Sequence, residues 1–413
     1  VGELREPAGG PKVAFAVLGC KVNQSEAQAL QDLFARHGYQ VVPFEEEADV
    51  YVVHTCTVTR VAERKCRQAI RRAVRTNPRA TVVVSGCYSQ VAPEEVAAIL
   101  GVAVVVGAKH RSRIVELVER ARAGERVALV EPWEDPEPFE ELAAESPDRA
   151  RAFVRVQEGC EGGCTYCIVP RARGPLRSRP PQAVRAEVER LVQAGYREIV
   201  LTGVNLGAYG LDRGEPGLAG LVRDLAEIPG LGRLRLSSVE PQYFTDELVD
   251  TVTGEEKVCP HWHIPLQSGD AATLRRMGRS YSPEEYAALL ERLRQRRPDA
   301  AVTTDVIVGF PGEDEAAFER SLAFVERMDF SRLHVFAYSP RPGTPAADFP
   351  DQVDRRTKEE RSRRMRSLGR QLAVAFARRF VGRVLTVLVE REVEGRPGWV
   401  QGYSENYVMV RLP

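Results

Sequence analysis

Between Pro11 and about Val130, short unbroken apolar runs alternate with longer stretches whose apolar residues recur every three or four positions. An unbroken run reads as a strand buried on both faces, and the wider spacing as one face of a helix. The runs are KVAFAVLGC, ending at Cys20; DVYVVHTC, ending at Cys56; ATVVVSGC, ending at Cys87; and VAVVVG. Between them lie SEAQALQDLFARHG, with Ser25 as candidate N-cap and Gly38 as stop, a charged helix through Arg60–Thr76, and PEEVAAILG. This alternation predicts a doubly wound parallel sheet over residues 1–130.

Residues 131–151 break the pattern. They are acidic, carry Pro132, Pro136, Pro138 and Pro147, and read as a linker. From Ala152 the strand-then-helix order resumes for six units, with strands AFVRVQ, REIVLTG, RLRLSSVE, HWHIPLQS, AVTTDVIVGF and RLHVFAYS. Six such units over 152–379, the last carrying a long basic helix at Arg355–Arg379, predict an open, partial βα barrel. Three alternating runs, VLTVLVERE, GWVQGYSE and NYVMVRL, predict a small antiparallel β-barrel over 380–413, short enough to be incomplete at Pro413.

Composition narrows the classes. With 413 residues and 43% hydrophobic content the chain can build two or three cores. Lys+Arg and Asp+Glu both number 58, so any nucleic-acid surface must be local. No apolar run is long enough to span a bilayer, and VGELREPAGG carries no signal pattern; a cytoplasmic location is expected. Disulfides are then not the expected use of eight cysteines, which leaves metal ligation, catalysis or packing.

The densest cysteine group is VQEGCEGGCTYCIVPRARG, Val156–Gly174, with Cys160, Cys164 and Cys167 directly after a strand. Packing, zinc and an iron–sulfur cluster are the readings of this spacing. Structural zinc usually takes four ligands in paired spacings, and no partner pair lies nearby. A [4Fe–4S] cube normally takes four thiolates, so three would leave one iron open to a chelating small molecule. C-x3-C-x2-C with Tyr166 before the last cysteine resembles the radical S-adenosylmethionine signature. That resemblance implies a partial βα barrel, with the open iron binding the amino and carboxylate groups of S-adenosylmethionine, and reductive cleavage to a 5′-deoxyadenosyl radical. It also gives meaning to the strand ends on the same face: Thr202, Gly203 and Asn205; Ser237, Ser238 and Glu240; Gln267 and Ser268; Asp305 and Gly309. With Tyr166, these are expected to cradle S-adenosylmethionine and substrate. Loop capping is the competing use of such residues.

Cys20, Cys56 and Cys87 each end a predicted parallel strand, where ligands of open α/β sheets bind. They are either small core residues or ligands of a second cluster. Three strand-end cysteines ahead of C-x3-C-x2-C, with a small β domain last, resemble the radical methylthiotransferase family along nearly the whole chain. The family implies two [4Fe–4S] clusters and two uses of S-adenosylmethionine, one as methyl donor to sulfur and one as radical source. A reductant protein such as flavodoxin or ferredoxin is implied as partner. Cys66 and Cys259 fall outside this scheme and read as structural.

LGCKVNQSEAQ, Leu18–Gln28, resembles the branch acting on N6-threonylcarbamoyladenosine beside the tRNA anticodon. The isopentenyladenosine branch typically has Gln-Met-Asn where this chain has Lys21, Val22 and Asn23, and the ribosomal-protein branch has Pro-Lys-Asn. The expected product is the 2-methylthio derivative, with hydrogen taken from adenine C2. A threonylcarbamoyl carboxylate would want cationic or hydrogen-bonding partners, so Lys21, Asn23, Arg171, Arg173 and Arg279 are the substrate-binding candidates. Residues 355–383 hold eleven Lys/Arg against Glu359 and Glu360. Beside a terminal barrel resembling the TRAM-type RNA-binding module, they are expected to meet RNA phosphates, although a solvated helix face would look the same. The rivals are a methylthiotransferase for isopentenyladenosine or for a ribosomal-protein aspartate, and a metal-stabilised RNA-binding protein without catalysis.

Overall fold

The structure is a computed structural model describing residues 10–134, 137–142, 150–214 and 217–413. Pro136 and Pro147 of the linker, and most of the N-terminal VGELREPAGG stretch, lie outside the described residues. The chain divides into two compact units. One holds residues up to 146 together with Glu158–Glu161 and Ile168–Arg177; the other holds the rest.

The first unit is built on a six-stranded sheet: β1 (Lys12–Val17), β2 (Gln40–Val42), β3 (Val50–Thr55), β4 (Thr81–Gly86), β5 (Val102–Val106) and β6 (Val127–Leu129), in the order β2-β1-β3-β4-β5-β6. Every pairing is parallel. The period-two geometry of a strand splits its apolar runs between two cores. Val50 and Val52 pack with Leu30 and Phe34 on one face; Tyr51 and Val53 pack with Ile70 and Tyr88 on the other. β2 and β6 have only three residues each and leave no long apolar run to find.

One helix boundary differs from expectation. Helix α1 spans Lys21–Arg36, with Cys20 as N-cap, so Ser25 is buried inside it. The start is fixed by tertiary bonds: Asn23 Nδ2 donates to the carbonyls of Leu18 and Thr55, both at 2.8 Å. Helix α2 runs from Arg60 to Thr76 with Thr59 capping it, as its pattern predicts. Cys66 is fully buried on its inner face, and burial pushes its thiol up to about 11.

The second unit carries six parallel strands: β7 (Arg151–Glu158), then, after the two-residue β8 (Arg177–Ser178), β9 (Glu198–Gly203), β10 (Arg233–Leu236), β11 (His261–His263), β12 (Ala301–Val308) and β13 (Arg332–Ala337). They form two sheets joined by parallel bridges at Leu234–Val258 and Ser238–His263. The curl is open, and its core runs from Val154 and Val156 through Leu201, Leu236, Trp262 and Ile264 to Val306 and Val308. Cys259 is buried at 2% exposure. Among the described residues no helix is long and apolar enough to cross a membrane.

The chain ends in a three-stranded antiparallel sheet, β14 (Val387–Glu392), β15 (Val400–Ser404) and β16 (Met409–Leu412), open rather than closed. It docks on the N-terminal ends of the barrel strands. Glu198, at the start of β9, is buried between Arg151 and Arg233, which open β7 and β10, and Arg235, two residues further along β10. Arg235 Nη1 donates to the Glu405 carbonyl at 3.0 Å, and Arg233 Nη2 to the Thr386 carbonyl at 2.8 Å. The Tyr407 ring is stacked between His261 and Tyr403, with both centroids at 4.4 Å, and Arg235 lies over it. The sheet is therefore at the opposite end of the barrel from the strand termini that form the active face of such folds.

Tyr407 has φ +63°, a conformation that asparagine tolerates. Tyr407→Asn removes two stacked pairs and two cation–π contacts, from Arg151 and Arg235, without adding backbone strain, loosening the sheet by about 2 kcal/mol. Limited proteolysis between Arg378 and Val387 should speed up several-fold; an unchanged digestion rate would contradict this docking role.

Candidate functional site

In the first unit, β1, β3 and β4 are neighbours, and the residues that follow them place Cys20, Cys56 and Cys87 along one sheet edge. Adjacent strands stand about 4.8 Å apart, so the three thiols span roughly two strand spacings. Burial, then Cys87 and Cys20, push the Cys56 thiol up to about 12. Cys87 is also raised by burial, against the pull of Arg173. Cys20 is the most exposed of the three and is the N-cap residue of α1.

Behind this edge lies a water-poor lattice of charges. Glu26, on the inward face of α1, is ion-paired with Arg111 and Arg173 and hydrogen-bonded to His54 Nε2 at 2.8 Å. Burial would raise its carboxyl, but the two guanidinium groups and His54 hold it well below the usual carboxylate range. Glu158, in the same unit, meets Arg111, Arg173 and Arg177 at 3.2–3.3 Å. Arg173 also donates from Nε to Cys87 Sγ at 3.1 Å and from Nη2 to Asn23 Oδ1 at 2.9 Å. Asn23 is 1% exposed and Arg173 2%, and their polar atoms are spent on this frame. Two expected substrate contacts are thus buried braces of the cysteine edge. Lys21 opens α1 beside Cys20 and is half-buried. Arg171 is exposed, and its carbonyl accepts from Trp133 Nε1 at 3.1 Å.

Cys160 follows β7, and its N–H donates to the Gly174 carbonyl at 3.1 Å. The chain then passes into the second unit, where Gly162–Cys167 is held by backbone and side-chain bonds. Thr165 donates from N to the Met277 carbonyl at 3.0 Å and from Oγ1 to the Arg276 carbonyl at 2.8 Å. Gly278, at φ +73°, leaves no room for a Cβ, which would lie 2.5 Å from the Gly163 carbonyl oxygen. Arg279 Nη1 donates to Cys164 Sγ and to Glu240 Oε1, both at 3.0 Å. Tyr166 meets Phe310 edge to face at 6.3 Å.

The remaining strand-end residues lie around the barrel's C-terminal rim. Gly203 packs against Gln157, whose Oε1 accepts from the Asn205 N–H at 2.6 Å, while Asn205 Nδ2 donates to Tyr243 Oη at 3.0 Å. Asp305 is 3.3 Å from His263 Nε2. Gln267 has φ +68° without being a glycine, a strain that concentrates at functional sites. Its N–H donates to the Asp305 carbonyl and its carbonyl accepts from Ile307, which pins the strained turn to β12. Ser237 Oγ and Arg279 Nη2 are buried with no hydrogen-bond partner among the described residues. Glu26, Arg111, Gln157, Glu158 and Gly278 escaped the sequence reading. Glu26 had a visible signal, a carboxylate on the apolar face of α1, whereas the partners that make it tolerable come from distant segments.

Residues 12–107 match the family described as Uncharacterized protein family UPF0004, and residues 154–325 match the Radical SAM superfamily. The chain is 44% identical to Threonylcarbamoyladenosine tRNA methylthiotransferase MtaB of Bacillus subtilis, over 96% of this chain and 89% of that one. It is 37% identical to the protein of that name from Thermotoga maritima, over 96% and 90% of the two chains. The chain belongs to the threonylcarbamoyladenosine tRNA methylthiotransferase family. Its fold is similar to that of TsrM, a radical S-adenosylmethionine methyltransferase from Kitasatospora setae, with TM-score 0.60 at 16% identity over 82% of this chain and 77% of that one. It is also similar to that of the cobalamin-dependent S-adenosylmethionine radical enzyme OxsB, with TM-score 0.52 at 12% identity over 88% and 56%.

The side chains suit the family's cofactors. Among the described residues no trio of His, Cys, Asp or Glu converges on a single metal ion. A cubane instead takes each thiolate at a different iron, which matches thiols spread along a sheet edge. Ser237 Oγ and Arg279 Nη2 leave polar capacity on the barrel rim for a zwitterionic ligand.

Arg173→Met would strip a charge partner from Glu26 and Glu158 together. Breaking a buried pair by removing one partner costs about 3–5 kcal/mol. Urea unfolding of the metal-free protein should show the loss in the N-terminal unit; a change below about 1 kcal/mol would mean that the lattice is not needed for stability.

Proposed function

We propose that the chain transfers a methylthio group to C2 of N6-threonylcarbamoyladenosine next to the anticodon of tRNA. The observation that carries this is identity of 37–44% with curated enzymes of that name, along 92–96% of the chain. Cys160, Cys164 and Cys167 would hold one [4Fe–4S] cluster, and Cys20, Cys56 and Cys87 the other. When bound, these clusters and S-adenosylmethionine supply the electron, the radical and the methylated sulfur.

The chain's own residues place and shield. Asn23 and Arg173 brace the cysteine edge, and the Arg173 guanidinium sets a positive charge against Cys87. Arg279 does the same for Cys164 while orienting Glu240. Ser237, Gln267, Asp305, Asn205 and Gly203 would line the S-adenosylmethionine site, with Tyr166 packing the cluster loop. Lys21, Arg171 and Arg279 remain the candidates for the threonylcarbamoyl carboxylate. Holding the reacting centre at the barrel mouth keeps a reactive radical beside its target and away from water. A flavodoxin- or ferredoxin-type reductant and a cytoplasmic setting fit this chemistry.

Anaerobic incubation with tRNAs bearing either side group, S-adenosylmethionine and reductant, followed by nucleoside mass spectrometry, tests the reading. Threonylcarbamoyladenosine should gain the methylthio group; preferential conversion of isopentenyladenosine, or of a ribosomal protein alone, would overturn the substrate assignment.

The two cysteine sets should also separate. Cys164→Ala should abolish 5′-deoxyadenosine formation, whereas Cys87→Ala should keep it and lose methylthio transfer. Iron should fall from about eight to about four per chain in each case. Methylthiolated product from Cys87→Ala would return the N-terminal cysteines to a core role.

A further inference from the structure

The long C-terminal helix, Arg355–Arg378, was the expected phosphate-binding element, but much of its charge is spent internally. Arg361 pairs with Glu313 and Glu315, Arg364 with Glu315 and Glu319, and Arg355 with Glu359. Its inner face, with Met365 and Leu372, is buried, and Gly369 lies against Leu333 of β13. It is a strut of the barrel with an exposed stripe at Arg356, Arg363 and Arg370.

Helix α2 is different. It carries Arg60, Arg64, Lys65, Arg67, Arg71, Arg72 and Arg75 against a single acid, Glu63. At about 100° per residue, Arg60, Arg64, Arg71 and Arg75 fall within about 60° of one another, and Arg72 and Lys65 widen the face to about 140°. Glu63 lies outside that arc. The face is about 22 Å long, enough to follow several successive phosphates. Arg67 is held by Tyr88 and Glu95, and Arg72 by Glu45 at 3.3 Å. The side chains of Arg64, Lys65, Arg71 and Arg75 are exposed and have no ion pair or hydrogen bond among the described residues. Beside the face runs a groove of about 810 Å³ floored by Val17, Leu18 and Phe44. The Arg72 guanidinium stands 5.8 Å from the Phe44 ring, and Val17 is 37% exposed. Leu18 precedes Cys20 by two residues in the chain.

We propose that α2 and this groove are an RNA-docking surface: the exposed cations neutralise backbone phosphates, and the apolar floor receives an unstacked base. In a chain of zero net charge, a face of exposed cations with Glu45 as the acid paired at its edge is a local feature with a complementary polyanion as its natural occupant. An aromatic and guanidinium floor favours a nucleotide over an acidic protein, since bases stack on both. This surface rests on the tRNA reading above and says where on the chain that substrate is gripped.

The test is the salt dependence of tRNA binding to the full chain, read by fluorescence anisotropy. Each phosphate contact contributes about 0.7–0.9 to the slope of log K against log salt. Arg64→Gln, Lys65→Gln, Arg71→Gln and Arg75→Gln combined should flatten that slope by about 3 and weaken binding at least about tenfold at low salt. The pair Arg71→Gln and Arg75→Gln should give about half the effect, with the thermal midpoint and tRNA-independent S-adenosylmethionine cleavage unchanged. Arg356→Gln, Arg363→Gln and Arg370→Gln together should leave the slope nearly intact. A wild-type slope in the α2 variants, or loss only in the C-terminal helix variant, would overturn this surface and leave the proposed reaction standing. A wild-type chain that binds no tRNA would overturn both.

Discussion

The first unit depends on a carboxylate that has no access to water. Glu26 is 1% exposed, and an isolated charge there would be prohibitive. Arg111 and Arg173 make it tolerable, and Glu158 then balances the guanidinium groups. Because Arg173 reaches Glu26, Asn23 and Cys87 together, the geometry of the cysteine edge is tied to the balance of charge behind it. Such lattices contribute little net stability, yet they penalise any arrangement that separates their members. The turn after β1, the start of α1 and the Val169–Arg173 helix are held in one relation by that penalty.

The second unit uses backbone constraint where the first uses charge. Gly278 admits no side chain against the cysteine loop, and Gln267 is held in a left-handed conformation by bonds to β12 on both sides. Neither position makes sense as an isolated turn. Gly278 is required by the close approach of the Gly163 carbonyl, and the strained Gln267 is maintained by the strand it is bonded to.

Much of the architecture was legible because its signals are local. Apolar runs mark β1, β3, β4 and β5, period-two splitting sends their side chains to two cores, and a cysteine ends three of the runs. The α2 boundaries, Arg60–Thr76, agree with the charged helical stretch read in the sequence. What was not legible depends on sequence distance. Arg173 reads in the sequence as a partner for the substrate carboxylate, because Asn23 and Glu26, two of the groups that claim it, lie about 150 residues away on α1. The N-cap of α1 lies five residues before the Ser25 that the sequence suggests, because the bonds that fix it run to Leu18 and Thr55. Charge counting ranked the C-terminal helix as the basic element, but counting cannot see that Glu313, Glu315 and Glu319 have already claimed two of its arginines.

The terminal sheet is fastened where the barrel strands begin, through Glu198, Arg235 and the Tyr407 stack. The chemistry of a parallel barrel is assembled where its strands finish. The attachment thus occupies the pole of the strands opposite to the one where such barrels react, with a filled hydrophobic core between the two ends. A change in the terminal sheet would therefore be felt first at its arginine–glutamate seat, a strand's length away from the opposite rim.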